Sequence, residues 1–289
     1  MPTIPTKLYE AFEKIRLGKV EEGTRLFDRM DGFDVIKAIP LAELCWFRHD
    51  WKRGMLFAQD FFMDDFKMWS GPSRISYYGR CLYSYAEQHI QLYILATCVL
   101  DCWKESRVFL EEFKKRDQAL PAELRKHCNI PKAISMVADP ENTKRSFLDA
   151  QPKPRMEGTI DLEYLERKAK NAAQTGGKSR KNYRRWTYDG LMKHAYSKAS
   201  TEDHYTLYEQ YANRLEEPQA HQEAAKSCIA LENLQEAKEA IRRFMRCWEF
   251  REPYQVAPIE LFTDPELWPI MSDRRFTESL LTISHHRES

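Results

Sequence analysis

An all-α chain of antiparallel helical hairpins is the fold class this sequence predicts, on three observations. First, one short pattern recurs: a helix-like stretch, a tight turn, then a second helix opening on a small residue. It reads Leu17-Gly18-Lys19-Val20-Glu21-Glu22-Gly23, returns as Arg48-His49-Asp50-Trp51-Lys52-Arg53-Gly54, and returns again as Leu231-Glu232-Asn233-Leu234-Gln235-Glu236-Ala237. In each copy a bulky apolar residue sits three places before the small one. The small residue lets two helices approach closely, and the bulky one plugs the gap at the turn. Second, Gly is scarce, at 10 of 289 residues, and no strand-like alternation persists over five residues. Third, Glu, Lys, Arg, Ala and Leu dominate, all good helix formers.

The elements follow in order. Helices are expected at about 6–17 and 20–29, then 41–50 and 53–68, before Gly71-Pro72 breaks the chain. A long helical region from 73 to about 115 must fold back, expected near 104–106, because no globular helix needs that length. Pro121, Pro131 and Pro140 punctuate short helices up to about 150. Gln151-Pro152-Lys153-Pro154 reads as a linker, since two prolines bar helix continuation and fix an extended backbone. It divides the chain into halves, 1–150 and 151–289. In the second half, 161–174 is helical up to Gly176-Gly177, and helices follow at about 182–199, 201–215, 218–231 and 235–250, then a tail of short helices. Thr201 with Glu202 and Asp203 makes a favourable first turn.

Gly23 and Gly54 lie 31 residues apart, close to the roughly 34-residue period of a tetratricopeptide repeat. The chain resembles that superfamily at both ends. Ala11 falls where the family keeps a small residue on a repeat's first helix, with Gly23 on the second; Ala224, Ala225 and Ala237 fill those places in the last hairpin. In the second hairpin Leu41 and Ala42 serve, and His49 and Glu232 replace the Gly before the turn, so the repeats are degenerate. The run Asp264-Pro265-Glu266-Leu267-Trp268-Pro269-Ile270, continuing to Asp273 and Phe276, is similar to the tail that caps the open end in many bacterial members. The resemblance covers about a third of the chain and implies a degenerate α-solenoid, each repeat burying its face against its neighbours.

Charge is balanced overall, 45 basic residues against 44 acidic, but unevenly placed. Between 167 and 185 there are eight basic residues and no acid. Between 202 and 239 nine acids, among them Glu202, Asp203, Glu209, Glu216 and Glu217, are opposed only by Arg214, Lys226 and Lys238, a local balance of −6. Opposed patches steer and orient a charged partner. The first 19 residues hold no apolar run, so no secretory signal is expected. The most apolar stretch, 92–103, contains Asp101 and is too short to span a bilayer, so no membrane partner is expected. Seven cysteines, with Cys98 and Cys102 one helical turn apart, fit reduced thiols in a cytoplasmic protein.

No catalytic constellation emerges. There is no G-x-S-x-G elbow, no phosphate-cradling loop and no H-E-x-x-H helix. The eight histidines do not pair with Cys or carboxylate at ligand spacing within one helix, and adjacent acids such as Asp64-Asp65 splay apart. No enzyme activity, metal or cofactor is expected. Thr175-Gly176-Gly177-Lys178-Ser179 echoes a phosphate loop, but Asn171 stands where the first Gly belongs, so it reads as a turn. Tyr183 and Trp186 interleave with Arg180, Lys181, Arg184 and Arg185, giving stacking planes beside phosphate-neutralising charge, which keeps a nucleic-acid-associated regulator as an alternative.

Most of the aromatics are expected to pack between helices. Trp69, beside the Ser70-Gly71-Pro72 break, and Trp186, in the basic turn, are least explained by packing. The candidate partner-binding set is therefore Glu202, Asp203, Glu209, Glu216 and Glu217, with Trp69, Trp186, Arg184 and Arg185. Helical-repeat proteins of this size without a catalytic site resemble bacterial immunity proteins that neutralise antibacterial toxins, or adaptors and chaperones that hold an effector. The resemblance implies a cognate toxin as partner. A nuclease toxin carries a basic cleft that an acidic helical face would cover.

Overall fold

The computed structural model describes residues 6–30, 34–63, 77–122, 125, 128–158, 163, 167, 188–250 and 255–283. Among these residues the chain is all-helical and contains no strand. It forms two compact units, one of 1–150 with 250–289 and the other of 151–249. The proline-rich boundary at 151 coincides with the sequence division, but the tail from 250 belongs with the first unit and not with the second half.

The first unit contains α1 (Thr6–Arg16), α2 (Val20–Asp28), α3 (Asp34–Phe47), α4 (Trp51–Met63), α5 (Tyr77–Leu100), α6 (Trp103–Ala119), α7 (Ile130–Val137) and α8 (Pro140–Phe147). The second contains α9 (Tyr188–Lys198), α10 (Thr201–Tyr211), α11 (Pro218–Ala230) and α12 (Leu234–Cys247). The tail of the first unit adds α13 (Glu260–Thr263), α14 (Trp268–Met271) and α15 (Arg274–Leu280). Several boundaries differ from expectation, among them the end of α10 at Tyr211 and of α12 at Cys247. α3 starts at Asp34 and runs through Pro40, at the cost of one helix N–H and of crowding at the carbonyl four residues back. The fold-back of the long helical region falls at Asp101-Cys102, ahead of 104–106, because Asp101 adopts a left-handed φ of 56°.

That fold-back exposes the rule behind the recurring pattern. Gly18, His49, Asp101 and Glu232 all have positive φ, at 76°, 54°, 56° and 60°. After each, the next N–H reaches back across the helix end: Lys19 to Lys14 O (2.9 Å), Asp50 to Cys45 O (2.9 Å), Cys102 to Thr97 O (3.3 Å) and Asn233 to Cys228 O (2.8 Å). This is the Schellman ending, which satisfies orphan carbonyls with one left-handed residue. The residue after it starts the following helix, and its carbonyl accepts the N–H of Gly23, Gly54, Ser106 or Ala237. The small residue thus sits on the first closed turn of the returning helix. Leu100-Asp101-Cys102-Trp103-Lys104-Glu105-Ser106 is a fourth copy that sequence inspection missed, because Ser replaces Gly or Ala.

The plug at the turn is not uniform. Val20 and Trp51 are buried, whereas Leu234 is 43% exposed. The close approach is real at the glycines. A Cβ on Gly23 would lie 2.6 Å from the Ala11 carbonyl oxygen, and one on Gly54 would lie 2.6 Å from the Trp46 ring.

The core of the first unit is aromatic. Phe12 meets Phe27 edge-on at 5.6 Å, Phe62 meets Phe113 at 4.9 Å, and Trp51 gathers Trp46, His49, Phe262 and Trp268 around it. The tail is tied down by polar groups. Arg16, 2% exposed, donates from Nε and Nη2 to the Gln255 carbonyl and lies 3.5 Å over the Phe250 ring. Glu43, fully buried, accepts the N–H groups of Val256 (2.7 Å) and Ala257 (3.0 Å) through Oε2. Thr277 donates to the Phe47 carbonyl at 2.7 Å. These bonds explain why the tail belongs with α1–α4. Asp264 and Asp273, prominent in the tail motif, act as helix caps, accepting N–H groups of Glu266 and of Arg275 and Phe276.

Candidate interaction surface

The acidic region lies on α10–α12 of the second unit. Ser200 caps α10: its Oγ accepts the Asp203 N–H at 3.1 Å and donates to Asp203 Oδ2 at 2.7 Å. Upstream, the chain that follows the proline linker is clasped to this start, with Arg155 N donating to Thr201 Oγ1 and Thr201 N to the Arg155 carbonyl. Glu202 and Asp203 are exposed in the first turn, where carboxylates favour the helix dipole.

A charged feature follows on α10. The Tyr205 hydroxyl donates to Glu209 Oε1 at 2.7 Å. That bond, with burial and the charges of Glu209 and Glu236, pushes the phenol's ionisation upward. Glu236, on α12, acts on that phenol through its charge alone. At the turn into α11, the exposed Glu216 and Glu217 both donate their backbone N–H to Asp189 Oδ1, at 3.1 and 2.9 Å, which fixes that turn.

Not every acid of 202–239 contributes. Glu223 is buried, and burial pushes its carboxyl up to about 7. Glu239 is paired with Arg242 (3.3 Å) and Arg243 (3.8 Å), bases that lie just beyond the counted window. Arg214, counted against the acids, is engaged with the Tyr188 hydroxyl at 2.7 Å. The exposed set is Glu202, Asp203, Glu209, Glu216, Glu217 and Glu232, with Glu236 half-buried. Trp69, Trp186, Arg184, Arg185 and the basic turn at 175–186 lie outside the described residues.

Sequence reasoning also missed two buried polar pairs between α10 and α11. His204 Nδ1 lies 2.9 Å from Ser227 Oγ, and His221 Nδ1 lies 2.9 Å from the Tyr208 hydroxyl. Burial lowers His204 to about 3 and His221 to about 4, so both stay neutral. The available signal was His204 and Tyr208 one turn apart on α10; their partners come from α11 and could not be placed. In the first unit, a groove of about 220 Å³ is walled by Ile90, Ile94, Met136 and Phe147, and its rim carboxylate, Glu87, already accepts the Asn129 N–H at 2.7 Å. Among the described residues no three His, Cys, Asp or Glu side chains cluster as metal ligands, and no helix is long and apolar enough to cross a membrane. No known protein family, curated protein or solved structure matches this chain.

Proposed function

We propose that this chain is a non-enzymatic, protein-binding helical-repeat protein of degenerate tetratricopeptide-like type. Its function in this reading is to bind and neutralise a cognate antibacterial toxin in the bacterial cytoplasm. The repeat reading is supported by the four hairpins closed by one turn geometry. The partner reading rests on one observation, the exposed carboxylates Glu202, Asp203, Glu209, Glu216 and Glu217 carried by α10 and the turn into α11. A fixed acidic surface suits a basic partner, such as the substrate cleft of a nuclease, because preorganised opposite charge speeds association. The toxin identity comes from likeness to immunity proteins; the geometry supports the coarser part, an acidic docking face.

The test is complex formation. Cells making the chain with its neighbouring gene product should survive a toxin that arrests growth alone. In the purified complex, Glu209→Lys with Glu236→Lys, and separately Glu216→Lys with Glu217→Lys, should each slow association by about tenfold at low salt, the defect shrinking as salt screens exposed charge. Unchanged on-rates and salt dependence would remove the acidic face from the interface. RNA or DNA co-purifying without any protein partner would refute the toxin reading and favour the basic turn.

A further inference from the structure

The groove of the first unit has no part in the acidic-face reading. It holds about 220 Å³ and opens to solvent. α5 lines it with Ile90 and Ile94, α7 with Met136, and α8 with Phe147. Ile90, Ile94 and Phe147 are buried, and Met136 is half-buried. An apolar cavity of about 150 Å³ holds one benzene ring, so this space admits a six-membered ring with a short linker. A thioether and an aromatic ring in the wall favour an aromatic guest.

The rim selects the charge of the guest. Its hydroxyls are already engaged: Ser146 donates to the Asn142 carbonyl at 2.8 Å and Thr263 to the Glu260 carbonyl at 3.0 Å. Glu87 is engaged on both oxygens. Oε2 accepts the Asn129 N–H at 2.7 Å, and Oε1 accepts the Gln91 amide at 3.4 Å. Lys132 is exposed on the same rim, and among the described residues its ammonium has no partner. Its backbone is fixed, because Asn129 Oδ1 caps α7 by accepting the Lys132 N–H at 3.0 Å. That bond uses the Asn129 oxygen and leaves its amide NH2 as a second donor on the rim. The groove thus offers an apolar floor, one cation and one amide donor.

We propose that this groove binds a small aryl-alkyl carboxylate. The ring lies against Ile90, Ile94, Met136 and Phe147, and the carboxylate pairs with Lys132, with Asn129 as a second donor. Burial of the ring carries most of the affinity, because an exposed ion pair contributes little on its own. The pair at the rim instead discriminates a carboxylate from a neutral or cationic head on the same ring. The site does not rest on the acidic-face reading, since no residue of 202–239 lines it.

The test uses the full chain carrying methyl-labelled methionine, titrated with phenylpropionate at low salt and followed by NMR. The Met136 methyl, assigned through Met136→Leu, should shift saturably, with half-saturation at millimolar concentration or below. Phenylpropanol should bind about fivefold more weakly than the carboxylate, and phenylpropylamine at least about tenfold more weakly. Hexanoate, which has the same charge without a ring, should also bind more weakly. Lys132→Met keeps the apolar stem and should weaken phenylpropionate about fivefold while leaving phenylpropanol unchanged. The ranking of the four probes on the unaltered chain decides the question even if that variant fails to fold. An amine or hexanoate that binds as tightly as phenylpropionate would overturn the assignment. So would a carboxylate affinity indifferent to Lys132→Met in a folded protein, or no saturable Met136 shift up to about 10 mM.

Discussion

The two units close the same hairpin turn with opposite side-chain sizes. In α1/α2 and α3/α4 the first helix brings bulk to the crossing, Ile15 in one and Trp46 in the other, and the returning helix answers with Gly23 or Gly54. In α11/α12 the first helix is lined by buried Ala220, Ala224 and Ala225, and the returning helix carries the methyl of Ala237. The room at a crossing is therefore shared between both helices, and the recurring small residue shrinks or grows with what faces it. The buried polar groups differ as well. The first unit buries Arg16 and Glu43, which hold its tail, whereas the second buries His204, Ser227, Tyr208 and His221, which pair between α10 and α11, together with Glu223 and Asp189.

The largest effect should come from overfilling a glycine crossing. Gly54→Leu drives side-chain atoms into the Trp46 ring and should cost several kcal/mol, about 3 or more, in urea unfolding, while the exposed Lys52→Leu should cost less than about 0.5 kcal/mol. Equal tolerance would break the comparison at its root.

Next come the tail bonds. Glu43→Leu strands the N–H groups of Val256 and Ala257 in the core and should cost about 3 kcal/mol. Glu43→Gln keeps the accepting oxygen and should be tolerated. Burial pushes the Glu43 carboxyl up to about 8 from its ordinary 4.5, so the fold prefers it protonated. Its stabilising contribution is complete below pH 4.5 and is lost as pH rises to about 8. Stability of Glu43→Gln measured at pH 6 and pH 9 should fall less than that of the wild type over the same interval.

The second unit should show the opposite sign. His204 and His221 sit below their ordinary 6.5, so their contribution is whole above pH 6.5 and is lost as pH falls through about 4 and then 3. Hydrogen exchange should report opening of α10 and α11 growing by about 2 kcal/mol between pH 7 and pH 4. A His221→Gln variant should flatten that slope. Glu223 contributes in the other direction, its share fading from pH 4.5 up to about 7.

The smallest effect sharpens the turn rule. Glu232 holds φ at 60° without being glycine, so Glu232→Gly should stabilise α11/α12 by about 1 kcal/mol, whereas Gly18→Ala should destabilise its own turn. The Gly18 substitution also meets the Thr282 carbonyl oxygen at 2.7 Å.

The turn itself was legible in the sequence at three of four places because Gly23, Gly54 and Ala237 keep a fixed offset from a polar turn residue. It was not legible at Ser106, whose hydroxyl lies 2.7 Å from Thr97 Oγ1 and so is satisfied inside the crossing. Helix composition carried the all-α class. The return of the tail was hidden, since Arg16–Gln255 and Glu43–Val256 join residues more than 200 apart. The acidic surface was legible only as composition. Pairing by Arg242 and Arg243 and the burial of Glu223 depend on helix faces that a charge count does not see.

Gly23→Ala tests the central claim most directly, because two principles give it opposite signs. Alanine is the better helix former and, at an open site, would stabilise α2 by about 1 kcal/mol. A shared, filled crossing puts the new methyl 2.6 Å from the Ala11 carbonyl oxygen and 2.5 Å from Ile15 Cγ1. Urea denaturation at neutral pH should therefore show a loss of about 1–3 kcal/mol. A gain in stability would contradict the close crossing on which the hairpin account rests.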